Sequence, residues 1–327
     1  MKLGIIGTGW IVKDFLPGLV KMDGLEIVSI MGSPTGYEKA EALSKEYGIP
    51  YAVHDLDELC ETGIDTVYVA VPNNLHFVYC RKAMEKGMHV IVEKPMTDDA
   101  GEAERLAEIA REKKLFLFEA ITTVYMTGYQ KIREWLPLLG EIKLVQSRFC
   151  QYSSRYDRYL KGDVAPAFDL AACGGALYDL NVYNFNMAIA LLGEPEDVQY
   201  FPNIGFNGVD TSGIAVLKYK DFVGVLAGAK DSDSPCHFTI QGEKGWIQVP
   251  GKPNEVEQLR FCVNKQVEEF IPPADKNRMV QEFRNFSRAV TENDRAFMDR
   301  ELETTLAVMR TIERARLGAG IAYPTDV

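Results

Sequence analysis

The chain has 327 residues, 46% of them hydrophobic, and a formal net charge of -11. That length has room for two domains that each bury a core, and the acidic balance argues against non-specific attachment to nucleic acid or anionic membrane, leaving small molecules as the expected partners. No run approaches the ~18 unbroken apolar residues of a spanning helix.

From the start of the chain, Met1-Lys2 leads straight into a Gly-interrupted apolar strand with Lys13 and Asp14 close behind. No secretory signal peptide is therefore expected, and the cytoplasm is the expected compartment. Residues 1–120 alternate short apolar strands (Leu3-Ile6, Glu26-Ile30, Thr66-Val71, His89-Val92, Leu115-Phe118) with amphipathic helices (Lys13-Met22, Tyr37-Tyr47, Leu75-Lys86, Asp98-Lys113). This pattern predicts an α/β fold, a doubly wound parallel Rossmann sheet.

After Glu119 the pattern changes. A helix is predicted over Tyr125-Leu139, a strand over Ile142-Gln151, then a polar loop rich in Arg and Tyr, and a helix opened by Cys173-Gly174-Gly175 that runs to about Leu192. From Val198 to Phe270 β-rich segments follow one another without helices, among them Ile214-Tyr219, Phe222-Ala229, Phe238-Gln241 and Gly245-Val249, so they are neighbours in a mostly antiparallel sheet. A helical pair over about 276–292 and 299–317 closes the chain. The expected division is a nucleotide-binding domain over 1–120 and a substrate-binding and oligomerisation α/β domain over 121–327.

Gly7-Thr8-Gly9-Trp10-Ile11 lies between the first strand and the first helix, where glycine permits a tight turn and close backbone approach to a pyrophosphate. Val12 stands at the third glycine position, so the fingerprint is partial. The carboxyl end of the second strand reads Met31-Gly32-Ser33-Pro34-Thr35 and carries no carboxylate to hold a ribose diol or repel a 2′-phosphate. Ser33 and Thr35 favour NADP, with NAD the alternative. Pro72, Asn73 and His76 end another strand on the same edge; Asn73 and His76 either face the ribose or nicotinamide, or act as helix cap and first-turn residue. Glu93-Lys94-Pro95 follows the apolar run His89-Val92, from which position Lys94 can reach a cofactor's reactive end.

Asp179 and Tyr183 are four apart on one predicted helix, with Asn186 three further on, which brings the three close to one face. Tyr183 is either a proton-transfer residue beside an ammonium such as Lys94, or a core tyrosine. In the preceding loop, Arg155 or Arg158 either binds a substrate carboxylate or phosphate, or is solvated. Six scattered cysteines without a Cys-x-x-Cys pair, and four histidines without ligand spacing, predict reduced thiols and no metal.

Taken together, the Gly7-Thr8-Gly9 turn, Pro72-Asn73 to His76, His89 to Met96 and Gly174-Gly175-Ala176-Leu177-Tyr178-Asp179 resemble the family of glucose-fructose oxidoreductase, inositol dehydrogenase and rhizopine catabolism proteins (Gfo/Idh/MocA). The resemblance implies a Rossmann domain followed by an α/β domain with an open, mostly antiparallel sheet that forms the subunit interface of a homodimer or homotetramer. It implies that Lys94 lies beside the nicotinamide, with Glu93 and Pro95 shaping that pocket. The inositol dehydrogenase branch carries Asp-x-Gly-x-His in the helix; here Asn181 replaces the glycine and Tyr183 the histidine, as in the tyrosine-type branch resembling dimeric dihydrodiol dehydrogenase. The implied activity is hydride transfer between NAD(P) and a sugar, cyclic polyol or related hydroxy/oxo compound. Tyr183 is then the acid/base, Lys94 assists it, and Asp179 and Asn186 orient substrate. A redox-neutral elimination or epimerisation enzyme and a catalytically silent nucleotide sensor are the alternatives.

Overall fold

The computed structural model describes residues 1–33, 35–273 and 277–326. Two compact units result, one of residues 1–120 with 275–303, the other of 121–274 with 304–327.

The first unit begins with strand β1 (Lys2–Ile6), helix α1 (Trp10–Leu19), β2 (Glu26–Met31), α2 (Tyr37–Tyr47), β3 (Tyr51–Val53) and α3 (Leu56–Glu61). It continues with β4 (Thr66–Val69), α4 (His76–Glu85), β5 (His89–Glu93), α5 (Ala100–Glu112) and β6 (Leu117–Ala120). The strands are parallel, in the order β3-β2-β1-β4-β5-β6. Their near-continuous apolar runs fit a sheet covered by helices on both faces. The expected doubly wound sheet is present, and the order reverses between β1 and β4, where open α/β sheets bind ligands.

In this unit β3 and α3 escaped the sequence reading. β3 is only three residues long with its first residue exposed, so no run of hydrophobics marks it. α3 is capped by Asp55, whose Oδ1 accepts from the Glu58 amide (2.9 Å), and Glu58 Oε2 reaches back past the cap to the His54 amide (2.8 Å), a variant of the capping box.

The second unit comprises α6 (Thr127–Trp135), β7 (Ile142–Cys150), the short α7 (Tyr156–Tyr159), α8 (Val182–Leu192) and strands β8 (Asp197–Ile204), β9 (Asp210–Lys218), β10 (Val223–Ala229), β11 (His237–Gly242), β12 (Gly245–Pro250), β13 (Leu259–Val263) and β14 (Gln266–Phe270). Its eight strands run β14-β13-β12-β11-β7-β10-β9-β8, antiparallel except for the β7–β10 pair. The helix expected to open at Cys173 begins later, with a π-helical turn over Leu177–Asn181 that leads into α8. Gly175 has φ +126°, and a Cβ there would lie 2.0 Å from Asp210 Oδ1, so the chain passes this point tightly, in a backbone conformation that favours glycine, before it can coil.

The helical pair near the C-terminus is α9 (Met279–Glu292) and α10 (Arg295–Gly318). α9 and the first residues of α10 group with the first unit. The Phe283 ring packs against Phe15 (5.9 Å) and Tyr68 (5.3 Å), and a Cβ on Gly18 would lie 3.0 Å from Val280, so α9 lies close against α1. Among the described residues no helix is long and apolar enough to cross a membrane, and no His/Cys/Asp/Glu group is arranged to hold a metal.

At the start of α5, Asp99 Oδ1 accepts from the Glu102 amide (2.8 Å), while burial, with Asp98 and Asp99 alongside, pushes the Glu102 carboxyl up to about 7. A carboxyl whose folded pKa exceeds its ordinary 4.5 stabilises the fold below that value and loses this contribution as pH rises through about 7. Replacing Glu102 by Gln removes the loss. The variant is expected to gain about 1–2 kcal/mol on the wild type between pH 5 and pH 8, discounting for solvent reaching this half-buried group; denaturant unfolding at the two pH values measures it, and an unchanged gap contradicts it.

Candidate functional site

At the point where the strand order of the first unit reverses, Gly7 has φ +124°, and a Cβ on it would lie 2.2 Å from the Ala70 carbonyl oxygen. Only glycine permits β1 and the end of β4 to approach so closely. Gly9 is the N-cap of α1 and makes no side-chain cap; nothing lies within 4 Å of where its Cβ would stand. The uncapped amides of α1 therefore border open space, the arrangement that receives a pyrophosphate. Thr8 and Ile11 are half-buried beside this turn, Trp10 is 65% exposed, and Val12 is fully buried. At the end of β2, Ser33 and Thr35 are exposed before the N-terminus of α2, whose cap residue Gly36 also offers no side chain. These features fit a dinucleotide.

Along the same edge, Asn73 opens a 3₁₀ turn after the exposed Pro72. His76 is fully buried, with Nδ1 2.8 Å from the Pro95 carbonyl and Nε2 2.9 Å from the Val71 carbonyl. Burial pushes its pKa down, against the pull of the two carbonyls toward the doubly protonated ring. His76 thus ties the loop after β4 to the Lys94-Pro95 bond, which is cis. Glu93 is buried and accepts from the Tyr68 hydroxyl; burial holds its carboxyl above the usual range. The Met96 amide donates to Glu119 Oε1 (2.9 Å), so both sides of Lys94 are fastened.

In the second unit, Asp179 sits in the π-helical turn and Tyr183 one turn later in α8, 7% exposed with its ring 5.8 Å from Phe149. Widened turns of this kind often mark functional positions in helices. The Asp179 side chain is 32% exposed and pairs at 2.7 Å with the ammonium of Lys230, itself 2% exposed. Lys230 follows directly on the apolar β10 and was missed, because its position after the strand does not show that its partner lies on another element. Asp210, also missed, is buried and accepts from the Leu177 amide (2.7 Å) and the Tyr200 hydroxyl (2.7 Å); burial raises its pKa. Asn186 is buried and, among the described residues, its Oδ1 has no hydrogen-bond partner.

Asn181, at a position where the resemblance led us to expect glycine, is fully buried and donates to the Leu226 carbonyl (3.3 Å). Gly228 makes the room: a Cβ there would lie 2.8 Å from that of Asn181. In the Arg/Tyr loop, Arg158 is held by Asp163 (2.7 Å), whereas Arg155 is exposed at the start of α7.

The two glycines separate fold from binding. Gly7→Ala is expected to destabilise by more than ~2 kcal/mol. Gly9→Ala, with open space and φ -70°, should keep its melting temperature yet bind NADPH about tenfold more weakly or worse. Thermal unfolding and a fluorescence titration check this, and undiminished binding by Gly9→Ala contradicts it.

A family profile described as "Oxidoreductase family, NAD-binding Rossmann fold" matches residues 1–120, and one described as "GFO/IDH/MocA C-terminal domain" matches residues 116–248. The chain is 31% identical over 329 residues to scyllo-inositol 2-dehydrogenase (NADP(+)) IolU of Bacillus subtilis, covering 100% of this chain and 99% of the relative. It is 30% identical to the uncharacterised oxidoreductase YgjR of Escherichia coli, covering 100% and 98%. In fold it is similar to KijD10, a 3-ketoreductase from Actinomadura kijaniata solved with TDP-benzene and NADP, with a TM-score of 0.80, 23% identity and 97% of each chain covered. With a glycine turn at the reversal of a parallel sheet and these matches across both units, the chain belongs to the Gfo/Idh/MocA family and is an NAD(P)-dependent oxidoreductase.

Proposed function

We propose that the protein is a dehydrogenase or reductase that prefers NADP(H) and interconverts a hydroxyl and a carbonyl on a sugar or cyclic polyol. The observation that carries the substrate class is Asp179, a partly exposed carboxylate paired to a buried lysine and one helical turn from Tyr183. A fixed acceptor beside a proton-transfer group suits a compound with several adjacent hydroxyls. The names of relatives support it: IolU is a scyllo-inositol 2-dehydrogenase, and a relative from Haloferax volcanii, 29% identical, is a D-xylose 1-dehydrogenase, both with NADP(+). NADP is further supported by the exposed Ser33 and Thr35 and the absence of a carboxylate at the end of β2.

Bound NADP would supply the hydride acceptor or donor, held by the α1 amides and the backbone of Gly7, Thr8, Gly9, Trp10 and Ile11. Ser33 and Thr35 would hold the 2′-phosphate and Pro72 and Asn73 would border the ribose and nicotinamide, while Glu93, buried against Tyr68, would shape that pocket from within the fold. His76 acts through the loops it ties together. In the oxidative direction Tyr183 takes the substrate's hydroxyl proton as the carbinol carbon loses hydride; in the reductive direction it returns the proton to the carbonyl oxygen. Lys94 stabilises the charge that develops on that oxygen. Asp179 accepts from a neighbouring hydroxyl and Arg155 meets any anionic substituent, while Asn186, 1% exposed, supports the site from inside the helix packing without touching substrate.

Tyr183→Phe should lower kcat by about 10²–10⁴-fold and Lys94→Ala kcat/KM by about 10²–10³-fold, while the Kd for NADPH stays within about threefold. Assay of a panel of inositols and aldoses with NADP(+), following cofactor absorbance, measures this; NADPH should also bind more tightly than NADH. Full activity in Tyr183→Phe overturns the assignment, and turnover of substrate without net absorbance change indicates redox-neutral chemistry.

The enzyme is further proposed to be a cytoplasmic homodimer or homotetramer joined through the sheet of the second unit. Phe201, Ile214 and Val223 are 60%, 45% and 44% exposed on strands β8, β9 and β10. Phe201 pairs with Ile214 and Ile214 with Ala227, which places an apolar row on a single face. Light scattering should give a multiple of the 36.7 kDa chain mass, reduced by Ile214→Lys; a strict monomer at working concentration removes the proposal.

A further inference from the structure

Lys230 is engaged by several residues of the second unit. Its ammonium donates to the Ala167 carbonyl, lies 4.3 Å from the centre of the Phe168 ring and pairs with Asp179 Oδ2 at 2.7 Å. The backbone is anchored as well: its amide donates to the Thr211 carbonyl (2.8 Å), and its carbonyl accepts from the Ser153 amide (2.9 Å). A buried ammonium without a counter-ion is costly, so its partner carboxylate is held as firmly as the lysine is. Asp210, a buried acid that also feels the Lys230 charge, accepts from Leu177 and Tyr200, while Asp179 makes the direct ion pair.

We infer that Lys230 is a positioning residue for the reaction: by fixing one oxygen of Asp179 it sets the direction in which the carboxylate accepts a substrate hydroxyl. The inference rests on the dehydrogenase reading and names the group that determines the hydroxyl pattern accepted. An aspartate side chain that solvent reaches has several rotamers; a 2.7 Å bond to a desolvated ammonium selects one of them. Lys230 itself is too buried to meet substrate, so its effect reaches the reacting compound only through Asp179.

The test compares Lys230→Met, Asp179→Asn and the double variant, using whichever inositol or aldose the wild type turns over fastest with NADP(+). Lys230→Met is expected to lower kcat/KM by about 10–100-fold with the Kd for NADPH unchanged, and the double variant to lose no more than the worse single. Additive losses, or kcat/KM within twofold of wild type in Lys230→Met, overturn the inference; a purely structural anchor would lower the melting temperature and leave the effects additive. Should Lys230→Met fail to fold, Lys230→Gln takes its place, since it keeps donors to Ala167 without the charge. A crystal structure of the folded variant provides a substrate-free arm: Asp179 unmoved contradicts positioning. Inactivity of Tyr183→Phe combined with a neutral Lys230→Met sinks this inference alone, whereas an active Tyr183→Phe sinks the dehydrogenase mechanism first.

Discussion

The buried polar ladder under α8 is the interaction on which the second unit's site depends. Ser147 donates to Asn184 Oδ1 (2.6 Å), Asn184 donates to Asn181 Oδ1 (2.7 Å) and to the Ala227 carbonyl (2.9 Å), and Asn181 reaches the Leu226 carbonyl. Hydrophobic contact alone would let a helix slide on a sheet, since burial is non-directional. A chain of directional bonds to two neighbouring strands, β7 and β10, removes that freedom, and a hydrogen-bonded network in a dry interior rewards a single register. Asp179 precedes this ladder and Tyr183 falls between its two asparagines in the sequence, so both inherit its precision. Asp210 fastens the other end, at the amide of Leu177 where the π turn begins.

The first unit solves a comparable problem with backbone rather than side chains. Gly7 allows β1 to approach the carbonyl of Ala70, and the space beside Gly9 follows from having no side chain to fill it. His76 joins the loop after β4 to the one after β5 through two carbonyls. The loops at the carboxyl ends of neighbouring strands are thereby held to one another as well as to the sheet.

Much of this was legible in the sequence because parallel strands buried on both faces appear as unbroken apolar runs, so β1, β2, β4 and β5 announced themselves. β3 did not, being short and part-exposed, and α3 was overlooked although Asp55 and Glu58 carry a capping signal. The helix start after Cys173 was placed early because Gly175 looks like an ordinary opening; that its backbone is pressed against Asp210, 35 positions away, is a tertiary fact. The packing of α9 against α1 through Phe283 and Phe15 is equally invisible to local periodicity. Asp179 and Tyr183 were found by spacing and resemblance. Lys230 was not, since its partner lies on a different element and nothing in β10 alone distinguishes an anchored lysine from a solvated one.

The carboxylates sort themselves by how their burial is compensated. Glu93 and Asp210 are buried, receive hydrogen bonds from tyrosines, and are pushed toward protonation, which suits groups that only hold the fold together. Glu119 accepts from a backbone amide and likewise turns inward. Asp179 differs in both respects: its counter-ion is a full positive charge, and its own side chain keeps a third of its surface. Desolvating a lysine so completely in order to pair it with a carboxylate that remains accessible is a poor way to stabilise a fold, because apolar residues of similar volume would do as well or better. It is an effective way to present a charged acceptor in one orientation, and that is the demand that recognition of a particular hydroxyl places on a site.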